Sequence, residues 1–89
     1  MKAIVTVVGK DQVGIIASVC VKLAEYNVNV LDISQTVMQG YFTMMMVVEV
    51  SESKLPLAEL AQKLEEKGKE MGLSIRLQRE DIFEAMHRV

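Results

Sequence analysis

The chain has 89 residues, 51% hydrophobic and 25% charged, which specifies one small folded domain and excludes a disordered one. A net charge of −2, no Trp and 4% aromatics argue against an electrostatic or stacking grip on nucleic acid. One cysteine, Cys20, excludes an internal disulfide and a multi-cysteine metal site.

The first apolar run, Ala3 to Val8, is β-branched and apolar on both faces, the pattern of a central strand. It is too short for a signal peptide, and no run approaches the roughly 20 apolar residues of a spanning helix. These features predict a cytoplasmic protein with a reduced Cys20 and no membrane contact. Gly9-Lys10-Asp11-Gln12 breaks the strand, and from Val13 the period turns helical, with Ile16, Val19, Cys20 and Leu23 on one face. Asp11 is the candidate N-cap and Asn27 the stop.

Asn29 to Met38 reads as a second strand, with Leu31, Ile33 and Val37 on one face. Gln39-Gly40 is a hairpin turn, and Tyr41 to Val50 a third strand, apolar on both faces until Glu49. After Pro56, Leu57, Leu60, Ala61, Leu64, Gly68 and Met71 form an amphipathic stripe backed by Glu59, Lys63, Glu66, Lys67 and Glu70, and Gly72 fits the C-terminal cap. Leu73, Ile75 and Leu77 alternate with polar residues in a fourth strand. Asp81 is the candidate cap of a tail helix over about 81–88 that carries Ile82, Phe83 and Met86.

This order predicts an α+β fold, a ferredoxin-like βαββαβ sandwich. Two helices cover one face of a four-stranded antiparallel sheet, the first and third strands lie in the middle, and a short C-terminal helix follows. The domain spans 1–89 with its core over 4–77. The sheet's second face stays apolar through Ile4, Val8, Met45 and Val47, a patch that soluble monomers avoid, so the tail helix or a partner subunit must cover it.

Reactive groups are sparse. The loop after the first strand lacks the arginine of acylphosphatase-like chemistry and the paired cysteines of a heavy-metal transport domain. Gly40-Tyr41-Phe42 faintly matches an RNA-recognition motif, but Gln39 stands in the basic position and Met44 and Met46 in the aromatic ones. Cys20 lies on an apolar stripe and reads as structural, His87 reads as a solvated tail residue, and Met44-Met45-Met46 alternates between faces and reads as packing. Asp11, Asp32 and Glu49 are not spaced as an acid–base pair. No catalytic cluster, metal site or cofactor is implied.

What remains is Asp11-Gln12-Val13-Gly14-Ile15-Ile16 at a helix start and Asn29-Val30 opening the second strand. Capping accounts for Asp11 but not for a glycine in the first helical turn, where close approach of a backbone or ligand gives a reason. In order and spacing these motifs, with Gly40 before Phe42-Thr43-Met44, resemble the ACT domain, the small regulatory module of amino-acid metabolism. The resemblance runs from Ile4 to Leu77. It is similar to ACT domains of glycine-cleavage repressor-like proteins and formyltetrahydrofolate deformylases, and to free-standing single-ACT proteins of bacteria. Val13 replaces the family's common proline.

The resemblance implies a regulatory domain, not an enzyme, that binds a small amino acid between two subunits of a homodimer or higher oligomer and modulates a metabolic enzyme or regulator. The ligand-binding residues would be Asp11, Gln12, Val13, Gly14, Ile15, Asn29 and Val30. The ligand carboxylate would meet the amides of Val13, Gly14 and Ile15, and its ammonium would meet Asp11 and Asn29 of the partner subunit. The alternative is a structural homo-oligomerisation module without ligand.

Overall fold

A computed structural model describes residues 1–86. His87, and the last two residues of the predicted tail helix, lie outside the described residues. The chain runs β1 (Lys2–Lys10), α1 (Ile15–Glu25), β2 (Asn29–Met38), β3 (Tyr41–Glu49), α2 (Leu57–Met71), β4 (Ser74–Arg79) and α3 (Glu80–Met86). The strands form one antiparallel sheet in the order β2-β3-β1-β4, as the ferredoxin-like reading requires.

The two central strands alternate across the sheet. Ala3, Val5 and Val7 of β1 pair with Val48, Met46 and Met44 of β3, and all six are fully buried. They meet Ile15, Val19 and Leu23 of α1 and Leu60 and Leu64 of α2 in one core. Ile16 and Cys20 pack at its margin, so the thiol is half-buried packing. Met45 points the other way, as strand alternation demands.

The hairpin between β2 and β3 turns on Gln39 (φ 51°) and Gly40 (φ 82°), the two positive φ angles that fit a tight two-residue connection. At the far end of α2, Gly72 (φ 72°) ends the helix and the Leu73 N–H donates to Gly68 O at 2.8 Å, joining α2 to β4. A Cβ at Gly68 would lie 2.7 Å from Leu73 O, so the missing side chain is what lets α2 approach β4.

Three local expectations are corrected. α1 begins at Ile15, not Val13. Its N-cap is Gly14, in the left-handed region at φ 87°, and no side chain caps it, so Asp11 is not the cap. β2 carries a bulge between Val30 and Asp32: Val30 opposes Val48, Asp32 opposes Val47, and Leu31 drops out of the register. Ile33 and Val37 do share the helix-side face, but at this sheet edge they stay exposed. Finally, α3 starts at Glu80, one residue before its predicted cap. Asp81 instead accepts from the Ile82 N–H at 2.9 Å and pairs with Arg79 at 2.6 Å.

Candidate functional site

The loop between β1 and α1 is fixed at both margins. The Asp11 N–H donates to Gly40 O of the β2–β3 hairpin at 2.8 Å, and Gln12 Nε2 donates to Met71 O at the end of α2 at 2.9 Å. The loop cannot cap its helix with Asp11 because the chain still has three residues to travel. Gly14 makes the final turn, and its carbonyl accepts the first helical bond from Ser18 N–H at 2.9 Å. Ile15, Ile16 and Ala17 therefore have N–H groups with no intrahelical acceptor. No acidic side chain sits in that first turn to neutralise the dipole.

These amides open onto a cavity of about 420 Å³ between the start of α1 and the last third of β2. Asp11, Gln12, Gly14 and Ile15 border it, joined by Ile16, Ala17, Gln35, Thr36, Val37 and Phe42. Among the described residues the Asp11 carboxylate has no hydrogen-bond or ion-pair partner. The cavity thus combines an amide-rich positive end, a free carboxylate and an apolar wall. A larger groove of about 540 Å³ follows the β4 edge past Glu65, Lys69 and Arg76, but no helix start faces it. No group of three or more His, Cys, Asp or Glu is placed to hold a metal ion among the described residues. No helix there is long and apolar enough to cross a membrane.

Other expected site residues lie apart. Val13 is fully exposed and outside the cavity. Asn29 and Val30 open β2 beside Glu49, whereas the cavity meets the strand's other end at Gln35–Val37, roughly 20–27 Å from Asn29 at about 3.4 Å per residue. The φ of 87° at Gly14 requires a residue at ease in the left-handed region, and no protein backbone approaches it, since a Cβ there would meet nothing within 4 Å. Beside Asn29, Glu49 accepts from the Met1 ammonium at 2.6 Å and from the Ser51 hydroxyl at 2.7 Å. The ammonium bond, then Ser51, draws the Glu49 carboxyl down to about 2.

The ACT domain family model matches residues 2–78. The chain belongs to the ACT domain family. It is 55% identical to a UPF0237 protein of Clostridium acetobutylicum over 89 residues, the whole of both chains. A solved ACT domain protein from Streptococcus pneumoniae is 49% identical, superposes with a TM-score of 0.82, and is covered to 98%, as is this chain. The regulatory subunit of aspartate kinase from Thermus thermophilus is 30% identical with a TM-score of 0.66, over 86% of this chain and 50% of that one.

In this ACT domain the wall formed by Gln35, Thr36, Val37 and Phe42 was not read from the sequence. The signal was present in two parts. Gln39-Gly40 forces Val37 opposite Phe42, and the strand order brings that hairpin beside the end of β1.

Proposed function

We propose that the protein is a regulatory sensor that binds a small free amino acid in the cavity at the start of α1. The carrying observation is the pairing of opposite polarities in one small space, with unpaired helix amides for a carboxylate and the free Asp11 carboxylate for an ammonium. Gln35 and Thr36 supply neutral hydrogen-bonding groups, and Ile16, Val37 and Phe42 favour an uncharged side chain. The family's occurrence in an aspartate kinase regulatory subunit agrees with this role. Sensing, not catalysis, fits a site with no nucleophile or base cluster.

The site is completed by a second copy across β2. Of the two sheet edges, β4 carries Arg76 and Arg79, charges that discourage pairing, whereas ten-residue β2 carries Asp32 alone. Antiparallel pairing of β2 with its symmetry mate sets the start of one strand beside the end of the other. That brings the start of the partner subunit's β2 to the cavity; there Val30, opposite Val48, lies on the helix-side face, whereas Asn29, opposite Glu49, lies on the open face.

A thermal-shift screen against the common amino acids tests the reading. A ligand at a hundred times its Kd adds about 2.7 kcal/mol. For a domain of this size that is a rise of about 10–20 °C. Absence of a shift with every amino acid would leave the ligand-free oligomerisation module, which the apolar open face of the sheet supports.

A further inference from the structure

β4 is an edge strand, and α2 packs along it. Which of its backbone groups face outward follows from the ladder. The Asp11 N–H donates to Gly40 O and the Val50 N–H donates to Met1 O, so the odd-numbered residues of β1 turn their N–H and C=O groups toward β3. The even-numbered residues Ile4, Thr6 and Val8 therefore bond to Gln78, Arg76 and Ser74 of β4. Ile75 and Leu77, between them, turn their N–H and C=O groups away from the sheet, where no further strand pairs with them. The groove of about 540 Å³ runs along this edge. Its floor is β4, and its wall is one flank of α2, Ala61, Glu65 and Lys69, spaced at i, i+4 and i+8. Ile75 is 3% exposed beneath this overhang, whereas Leu77 and Ala61 are half-buried and Arg76, Glu65 and Lys69 are exposed. No ion pair or hydrogen bond holds the side chain of Glu65, Lys69 or Arg76 among the described residues.

We propose that this groove takes an extended acidic segment of another protein, added to the sheet as a fifth strand beside β4. The outward N–H and C=O groups supply the main-chain bonds, and the groove's side chains set the sequence preference. Side chains of an added strand alternate. Those on the helix side pass over Leu77 and Ala61, whose small methyl leaves room for an aliphatic group. Those on the open face pass Arg76. Two unpaired cations, Arg76 and Lys69, face the groove against one carboxylate, Glu65, so an acidic residue opposite Arg76 is favoured and a basic one is repelled. The same cations discourage a second copy's β4, which would set arginine against arginine. Glu65 and Lys69, tied to nothing, swing aside to uncover Ile75. The surface lies at the opposite sheet edge from the amino-acid cavity, and it stands or falls independently of amino-acid binding.

A displayed library of random octapeptides, screened against the full chain, tests it. The selected sequences alternate aliphatic and acidic residues, and a synthetic peptide of that sequence binds the full chain by fluorescence anisotropy. Arg76→Glu, at an exposed site, weakens that binding about three- to thirtyfold while circular dichroism stays that of the folded protein. A peptide with lysine in place of the acidic residues shows the reverse preference, for Arg76→Glu over wild type. Two further versions of the peptide are N-methylated at alternate residues. The one whose methyl groups face β4 loses at least about tenfold in affinity, and the other keeps it. Failure to select any sequence overturns the proposal. So does a selected peptide that binds wild type and Arg76→Glu equally, which would place it at the β2 edge or in the amino-acid cavity. Equal binding of both methylated versions also overturns it, because charge attraction would then act without a fifth strand.

Discussion

Replacing Gly14 separates the geometry of this loop from the chemistry of its ligand. An added Cβ meets nothing within 4 Å, so the steric cost of Gly14→Ala is nil and only the backbone angle matters. At φ 87° an L-residue costs roughly 1–2 kcal/mol. Alanine recovers about 0.4–1 kcal/mol by restricting the unfolded chain. The net loss centres on about 0.8 kcal/mol, or roughly 3–6 °C in Tm for a domain of this size. Gly14→Val loses more, because a branched side chain is worse at positive φ, and Gly14→Asn loses least, because asparagine tolerates the left-handed region. Thermal unfolding by circular dichroism, at one protein concentration and without amino acids, ranks the set as glycine, asparagine, alanine, valine. An alanine variant as stable as wild type, or valine equal to asparagine, would refute the reasoning and return the glycine to a role in ligand approach.

Gly68→Ala gains about 1 kcal/mol of helix propensity but drives a Cβ to 2.7 Å from Leu73 O, an overpacking cost of about 1–3 kcal/mol, so urea denaturation should show a net loss. Asp11→Ala removes no cap; its stability should stay within about 0.5 kcal/mol of wild type while calorimetry shows roughly tenfold to hundredfold weaker amino-acid binding. Glu49 is ionised more readily folded than unfolded, so its contribution is complete above its ordinary value of 4.5 and is lost as pH falls toward about 2. Glu49→Gln should flatten that arm of an acid-unfolding curve by lowering stability at neutral pH while leaving it unchanged near pH 2.

Much of the fold was legible because its periods are undisturbed. The stripe from Leu57 to Met71 repeats every three to four residues, and α2 occupies those bounds. Gln39-Gly40 carries turn chemistry that needs no tertiary context. Misreadings came where a distant partner decides. Asp11 matches a cap by residue type, but its backbone is claimed by Gly40 across the sheet, and the turn into α1 falls to Gly14. Val30-Leu31-Asp32-Ile33 alternates acceptably on paper, and only the register of β3 exposes the bulge. The cavity wall at Gln35–Val37 is more than 20 residues from the loop it faces. Local pattern found the anion-binding end and missed the apolar one.

The bulge at Leu31 also governs where this chain tolerates a change in length. Elsewhere in β2, losing one residue turns every side chain before the lesion over to the opposite face. A deletion at Ser34 would aim Ile33 at the open face and Asp32 at the helices. Leu31 is unpaired, so its removal closes the ladder with Val30 and Asp32 already facing as they do now. One position in the edge strand is thus a length-neutral hinge in the register, the place where related chains can differ by a residue without rearranging either face of the sheet.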